Sequence, residues 1–331
     1  MTSGPALPST GFGLLALTWR SKRVPDEQAF GVMKAAIRHG ATIWSTSSVY
    51  GRPPDPPTAG LSLLRRYFEK YPGDASKVTL FIRGCFDAKT FTPTCTSNGV
   101  RASWEECNEI LSGVKKIDVF GPARIDQKVP VEETVSALKE LQNEGKIGAV
   151  GLSEVRADTI KRAAAVCPIK FAEVEFSLWS TEILDNGVAA AAKEHNVCLL
   201  SYAPLGYGFL TGNIKSVEDI PEDDSRRRIG RLAPENISKN LELVEKLQKF
   251  ALRKGATPAQ VALAWIRSYS NAKSCGIIIP IPGTTNPGRV EENCKTFDLS
   301  AHEREEMDGI VGSFVATGHR QIPGQDQYLW T

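Results

Sequence analysis

The spacing of apolar positions switches repeatedly between two periods along the chain. Phe30, Met33 and Ile37 fall three or four residues apart, as do Leu61, Leu64 and Phe68, then Val131, Val135 and Leu138, so each set lines one face of a helix. Leu243, Leu247 and Phe250 repeat the pattern further on. Between such stretches lie eight short β-prone runs: "GFGLLALTW" at 11, "ATIWSTSSV" at 41, "VTLFIR" at 78, "KIDVFGPAR" at 116, "IGAVGLS" at 147, "FAEVEFSLW" at 171, "VCLLSYAPL" at 197 and "GIIIPIPG" at 276. Two helical stretches stop at glycine just before a run, in "RHGATIW" and "NEGKIGAVGLS", where a left-handed residue ends the helix. Strands alternating singly with helices pair in parallel, and eight of them predict an α/β fold closed as a (β/α)8 TIM barrel. The alternative is an open doubly wound sheet. Its pyrophosphate turn is missing, because no G-x-G-x-x-G follows the first run. We expect one domain over residues 1–331, with a C-terminal tail from about 313.

Composition narrows the function classes. The formal net charge is +2, with Lys and Arg scattered among Asp and Glu, which removes the electrostatic case for nucleic acid or a membrane surface as partner. No apolar run reaches the roughly 18 residues of a membrane span. "MTSGPALPST" has neither a basic start nor an apolar block, so no secretory signal is expected and the cytoplasm is the default location. The seven cysteines include no C-x-x-C pair and are expected as reduced thiols. The four histidines show no metal-ligand spacing, and no metal is expected; His39 and His195 sit where helices should end, as capping groups. A small-molecule substrate and a monomer or weak homo-oligomer complete the expectation.

In a barrel, chemistry belongs to the rim where strands run into the following loops. One rim segment, "GATIWSTSSVYG" at 40–51, delivers the phenol of Tyr50 to a turn with no carboxylate beside it. With that segment, "VGLSE", "VEFSL", "SYAPLGYGFLTG" and "IPIPGTTNPGRVEEN", the chain resembles the aldo-keto reductases over nearly its whole length. From "KKIDVFGPARID" to "VEFSLWS" it is most similar to the fungal pyridoxal reductases.

The resemblance implies NADPH as cofactor. Ser153 and Glu173 would meet the nicotinamide carboxamide, Tyr202 would stack on the ring, and Leu205 and Gly208 would belong to the phosphate loop. Thr284, Arg289 and Asn293 would hold the adenosine 2′-phosphate and the adenine. Arg289 lies in the first turn of an expected helix, whose free N–H groups already favour an anion. Glu154 and Glu173 replace the family's Asn and Gln; a carboxylate accepts from an amide NH₂ and cannot donate to its oxygen. Trp19, Ala123 and Trp179 would line the substrate.

At the catalytic centre the family has Asp, Tyr, Lys and His, whereas this chain has Ser45, Tyr50, Arg83 and Ala123 at those positions. A cation beside a phenol favours its ionised form, and Arg83 keeps a permanent one. Its fork could also take a substrate carboxylate or phosphate, and a neutral Ser45 suits a cation anchored from elsewhere. Three functions stay open: an NADPH-dependent carbonyl reductase acting on pyridoxal or a specialised metabolite, a non-redox enzyme (dehydratase, isomerase or cyclase) using Tyr50 and Arg83, and a cofactor-binding regulatory subunit. The polar segment 213–242 is either a loop closing over the cofactor or a solvated linker, and the aromatic end Tyr328-Leu329-Trp330 is expected to fold back on the rim or onto a second subunit.

Overall fold

Eight strands run parallel, in chain order, around one sheet in the computed structural model, which describes residues 7–20, 22–272 and 274–331. Six residues of the N-terminal stretch considered above lie outside them. The strands are β1 (Phe12–Gly13), β2 (Ile43–Ser47), β3 (Thr79–Gly84), β4 (Val119–Pro122), β5 (Ala149–Ser153), β6 (Ile169–Glu175), β7 (Cys198–Tyr202) and β8 (Ile278–Pro280), one for each predicted run. The first and last close the barrel: Gly11 N–H donates to Pro280 O at 2.9 Å and Gly13 N–H to Pro282 O at 3.2 Å. Glycine is required for that approach, since a Cβ on Gly13 would stand 2.8 Å from the Ile281 carbonyl oxygen. The fold is therefore the (β/α)8 barrel. The first strand is shorter than its run, because the chain turns helical at Leu15–Thr18, which buries Leu17 and carries Trp19 to the rim.

Among the described residues, ten longer helices surround the sheet: α1 (Asp26–Arg38), α2 (Ala59–Lys70), α3 (Ser97–Leu111), α4 (Val131–Asn143), α5 (Ala157–Val166), α6 (Val188–Glu194), α7 (Pro234–Lys254), α8 (Pro258–Ser268), α9 (Pro287–Cys294) and α10 (Ala301–Gly312). Phe30, Met33, Leu61, Leu64, Phe68, Val131, Val135 and Leu138 all face inward and are buried. His39 and His195 are the residues at which α1 and α6 end. All seven cysteines are free thiols, and burial pushes those of Cys95, Cys107 and Cys198 up to about 12, so they stay protonated and inert. No helix among the described residues is long and apolar enough to cross a membrane.

The strand period of two decides what lines the barrel. Ile43, Phe81, Val119, Phe171, Leu200 and Ile279 point inward and form a separate apolar plug in the lumen. Gly151 leaves room for it: a Cβ there would lie 2.6 Å from the Phe81 ring. Two residues further up the same inward faces stand Ser45, Arg83, Ser153, Glu173 and Tyr202, which makes the floor of the rim polar directly above an apolar plug.

Candidate active site

Tyr50 leaves β2 through a turn fixed on both sides. Ser47 Oγ donates to Arg83 O at 2.8 Å, tying the end of β2 to β3, and Gly60 N–H at the start of α2 donates to Tyr50 O at 2.9 Å. The phenol packs edge-on against Trp19, ring centroids 6.3 Å apart. Arg83 Nη2 donates to the Tyr50 hydroxyl oxygen.

The carboxylate missing beside Tyr50 comes from the opposite wall. Glu173 on β6 reaches across the lumen, its Oε1 3.1 Å from Arg83 Nη1, while its Oε2 accepts from Ser45 Oγ. Ser45, Arg83 and Glu173 are 1, 6 and 2% exposed, so the pair is sealed from solvent between the phenol and the Phe81–Phe171 plug. Burial pushes the Glu173 carboxyl up, against the pull of Arg83 and the Ser45 hydroxyl. Burial also opposes the charge on Arg83, but Glu173 and the Tyr50 oxygen outweigh it and hold the guanidinium charged. Each Nη atom thus has a protein partner, and among the described residues the buried Arg83 Nε has none.

Sequence reasoning sets Glu173 against a carboxamide and Arg83 against Ser45; the structure joins all three in one chain of contacts ending on Tyr50. The signal is available in the parity of β6, since an inward Phe171 forces Glu173 inward at the rim.

Ser153, one strand over, is fully buried, and its Oγ has no hydrogen-bond partner among the described residues. A buried hydroxyl without a partner costs about 1–3 kcal/mol and suits a ligand that supplies one. Glu154 follows it with φ +53°, a left-handed conformation that costs a non-glycine residue roughly 1–2 kcal/mol. Both its carboxylate oxygens are taken: Oε1 accepts from Glu175 N–H at 3.2 Å and Oε2 from Arg320 Nη2 at 2.8 Å. Tyr202 ends β7 at the same rim, and burial, with Glu154 and Glu175 beside it, pushes its hydroxyl well above its ordinary value. It is followed by a backbone with φ +44° at Ala203, +56° at Gly206, +58° at Tyr207 and +93° at Gly208, and Leu205 lies inside this run. Arg226, from the segment 213–242, donates through Nη1 to Tyr207 O at 3.1 Å, so that segment is fastened to the loop.

On the other side of the barrel, Thr284 and Asn293 are buried and Arg289 is exposed. Thr284 Oγ1 accepts from Asn286 N–H at 3.1 Å, which leaves its hydrogen free to donate. Arg289, in the first turn of α9, has no ion-pair partner among the described residues. Ala123, just past the end of β4, is buried beside Arg124, whose Nη1 donates to the Ala123 carbonyl at 2.6 Å. Trp179 is stacked on Phe209 at 5.1 Å and covered by Arg231, so little of its indole is open to the mouth.

The tail folds back on the rim, as its aromatic end suggests: Arg320 lies 4.7 Å from the Trp330 ring, and Tyr328 packs edge-on against Phe86. Its contribution of polar side chains to the site is not legible in the sequence, because nothing periodic in "ATGHRQIPGQDQYLWT" marks Arg320 or Gln321.

Residues 10–312 match the profile described as the Aldo/keto reductase family. The chain belongs to that family. It is 38% identical over 316 residues to "Probable pyridoxal reductase 2" of Schizosaccharomyces pombe, covering 94% of this chain and 93% of that protein. A second relative in the same yeast, the aldo-keto reductase yakc, whose name specifies NADP(+), is 36% identical, covering 96% of this chain and 92% of its own. Among solved structures, the glycerol dehydrogenase of Gluconobacter oxydans superposes with a TM-score of 0.79 at 21% identity, over 96% of this chain and 95% of that one, a likeness of fold. Family membership makes the chain an oxidoreductase of this type.

Proposed function

We propose that the protein is an NADPH-dependent carbonyl reductase in which Tyr50 is the proton donor and the Arg83–Glu173 pair stands in for the family's cation and carboxylate. The observation that carries this reading is the Arg83 contact with Tyr50. Because Arg83 donates to the phenolic oxygen, the phenol's own hydrogen is left for a carbonyl oxygen at the mouth, and the guanidinium stabilises the negative charge left behind. Glu173 holds that guanidinium in place, and Ser45 holds Glu173. The bound cofactor would supply the hydride. Ser153, with its unpartnered hydroxyl, would meet the nicotinamide carboxamide, Tyr202 would stack on the ring, and the backbone at Leu205 and Gly208 would face the pyrophosphate. Thr284, Arg289 and Asn293 would hold the adenosine end, and the relative named for NADP(+) supports the 2′-phosphate.

The relative named as a pyridoxal reductase makes pyridoxal the first substrate to try. The test is NADPH consumption with pyridoxal and a panel of simple aldehydes, with the alcohol product quantified. Tight NADPH binding without consumption for any of them would defeat the reading.

Cofactor choice has its own test. Arg289→Ala should weaken NADPH by roughly 1.5–3 kcal/mol, the worth of a hydrogen bond to a charged group, and leave NADH nearly unchanged. Titration of both cofactors against parent and variant measures this, and an equal loss for the two would remove Arg289 from the phosphate site.

A further inference from the structure

Glu154 and Glu175 are two fully buried carboxylates on neighbouring strand ends, and the group that neutralises them comes from the far end of the chain. Arg320 reaches Glu175 Oε2 through Nη1 and Glu154 Oε2 through Nη2, both at 2.8 Å, and is itself 6% exposed. Its neighbour Gln321 donates through Nε2 to the Tyr202 hydroxyl at 2.9 Å. A second tether lies alongside: Thr331 N–H donates to Glu154 O at 3.1 Å, and Thr331 O accepts from Arg156 N–H at 3.2 Å and Thr159 Oγ1 at 2.8 Å. Removing an Arg and two Glu side chains from water is costly, and apolar side chains of similar volume would fasten a tail at least as well. The charged solution makes sense if the geometry of the residues it holds matters. Those residues are Glu154, which follows the unpartnered Ser153 in a strained left-handed conformation, and Tyr202.

We propose that the tail is a working wall of the cofactor seat, with Arg320 a positioning residue that holds Glu154 and Glu175 beside Ser153, and Gln321 a positioning residue that fixes the Tyr202 ring. This rests on the assignment of Ser153 and Tyr202 to the nicotinamide made above. Without Arg320, Glu154 and Glu175 face each other in a dry site. Among the described residues, Glu175 then keeps Ser180 Oγ at 2.9 Å, Gln321 at 3.3 Å and the Arg231 guanidinium at 4.0 Å, while the Glu154 carboxylate keeps the Glu175 N–H. A carboxylate at 154 and a guanidinium at 320 are thus a matched pair, and an amide at 154 would need no such partner.

The test is fluorescence titration of NADPH against the full chain, with thermal unfolding of each variant measured alongside. Arg320→Met should weaken NADPH by about 10-fold or more, as expected for stranding a buried charge. Adding Glu154→Asn to it should restore affinity to within about threefold of the parent, because the remaining carboxylate, Glu175, keeps its other partners. Gln321→Leu leaves the Arg320 ion pairs intact, removes the donor to Tyr202 together with the longer contact to Glu175, and tests this side of the tail separately if Arg320→Met does not fold; it should weaken NADPH several-fold with only a modest loss of thermal stability. A folded Arg320→Met that binds NADPH like the parent, a double variant no better than the single, or an unchanged Gln321→Leu would each overturn the proposal. A parent that binds neither NADPH nor NADH would overturn this inference together with the cofactor reading, whereas a binding parent with indifferent variants overturns this inference alone.

Discussion

Tyr50→Phe is expected to cut turnover by about 100-fold or more while NADPH affinity stays near that of the parent. The substitution removes one hydroxyl from a ring that keeps its edge contact with Trp19, so the shape of the mouth is preserved. Two things are lost with it: the hydrogen aimed at a carbonyl oxygen, and the acceptor for Arg83 Nη2. The second loss leaves a buried guanidinium N–H without a partner, which costs about 1–3 kcal/mol, so a modest drop in stability should accompany the loss of rate. The two effects separate cleanly. Steady-state kinetics with the alcohol quantified reads the first, and denaturant unfolding the second. A Phe variant that keeps most of its rate would make Tyr50 a packing residue and move the acid elsewhere.

How far the sequence reaches can be judged from single residues. Strand alternation and helix stops identify all eight strands, because a buried parallel sheet writes its pattern locally, in β-branched and apolar runs ended by glycine. Tyr50, Arg83, Ser153 and Tyr202 are legible as rim residues for the same reason: each lies at or just past the end of a strand. What the sequence leaves unjoined is contact across the lumen. Glu173 and Arg83 are 90 positions apart on strands that are not neighbours, and only closure of the barrel brings them within 3.1 Å. Each is visible as a departure from the family pattern, and their pairing is not. Arg320 is the harder case, since it lies outside any periodic element and reaches Glu154 from 166 positions away.

That cross-lumen pair leads to the largest expected loss of stability. Glu173→Ala should destabilise the fold by about 3–5 kcal/mol, the cost of leaving a buried charge without its partner, because Arg83 is sealed above the Phe81–Phe171 plug and has no water to turn to. Its effect on rate should exceed the structural loss alone, since an unanchored guanidinium no longer presents Nη2 to Tyr50. The pair also dictates how the ordinary family arrangement could be rebuilt. Ser45→Asp with Arg83→Lys places a new carboxylate where the Ser45 hydroxyl now donates to Glu173, so two like charges would share one dry site. That double variant should therefore be poorly stable and slow. Adding Glu173→Gln removes the clash, lets the new amide donate to the new carboxylate, and leaves one cation with one anion beside the phenol. The triple variant should unfold at a higher denaturant concentration than the double and recover Tyr50-dependent reduction of simple aldehydes. Unfolding curves and aldehyde kinetics on the single, double and triple variants decide the matter. If Glu173→Ala unfolds with the parent and keeps its activity, Glu173 does not anchor Arg83, and the charge relocated across the barrel has no role in presenting the phenol.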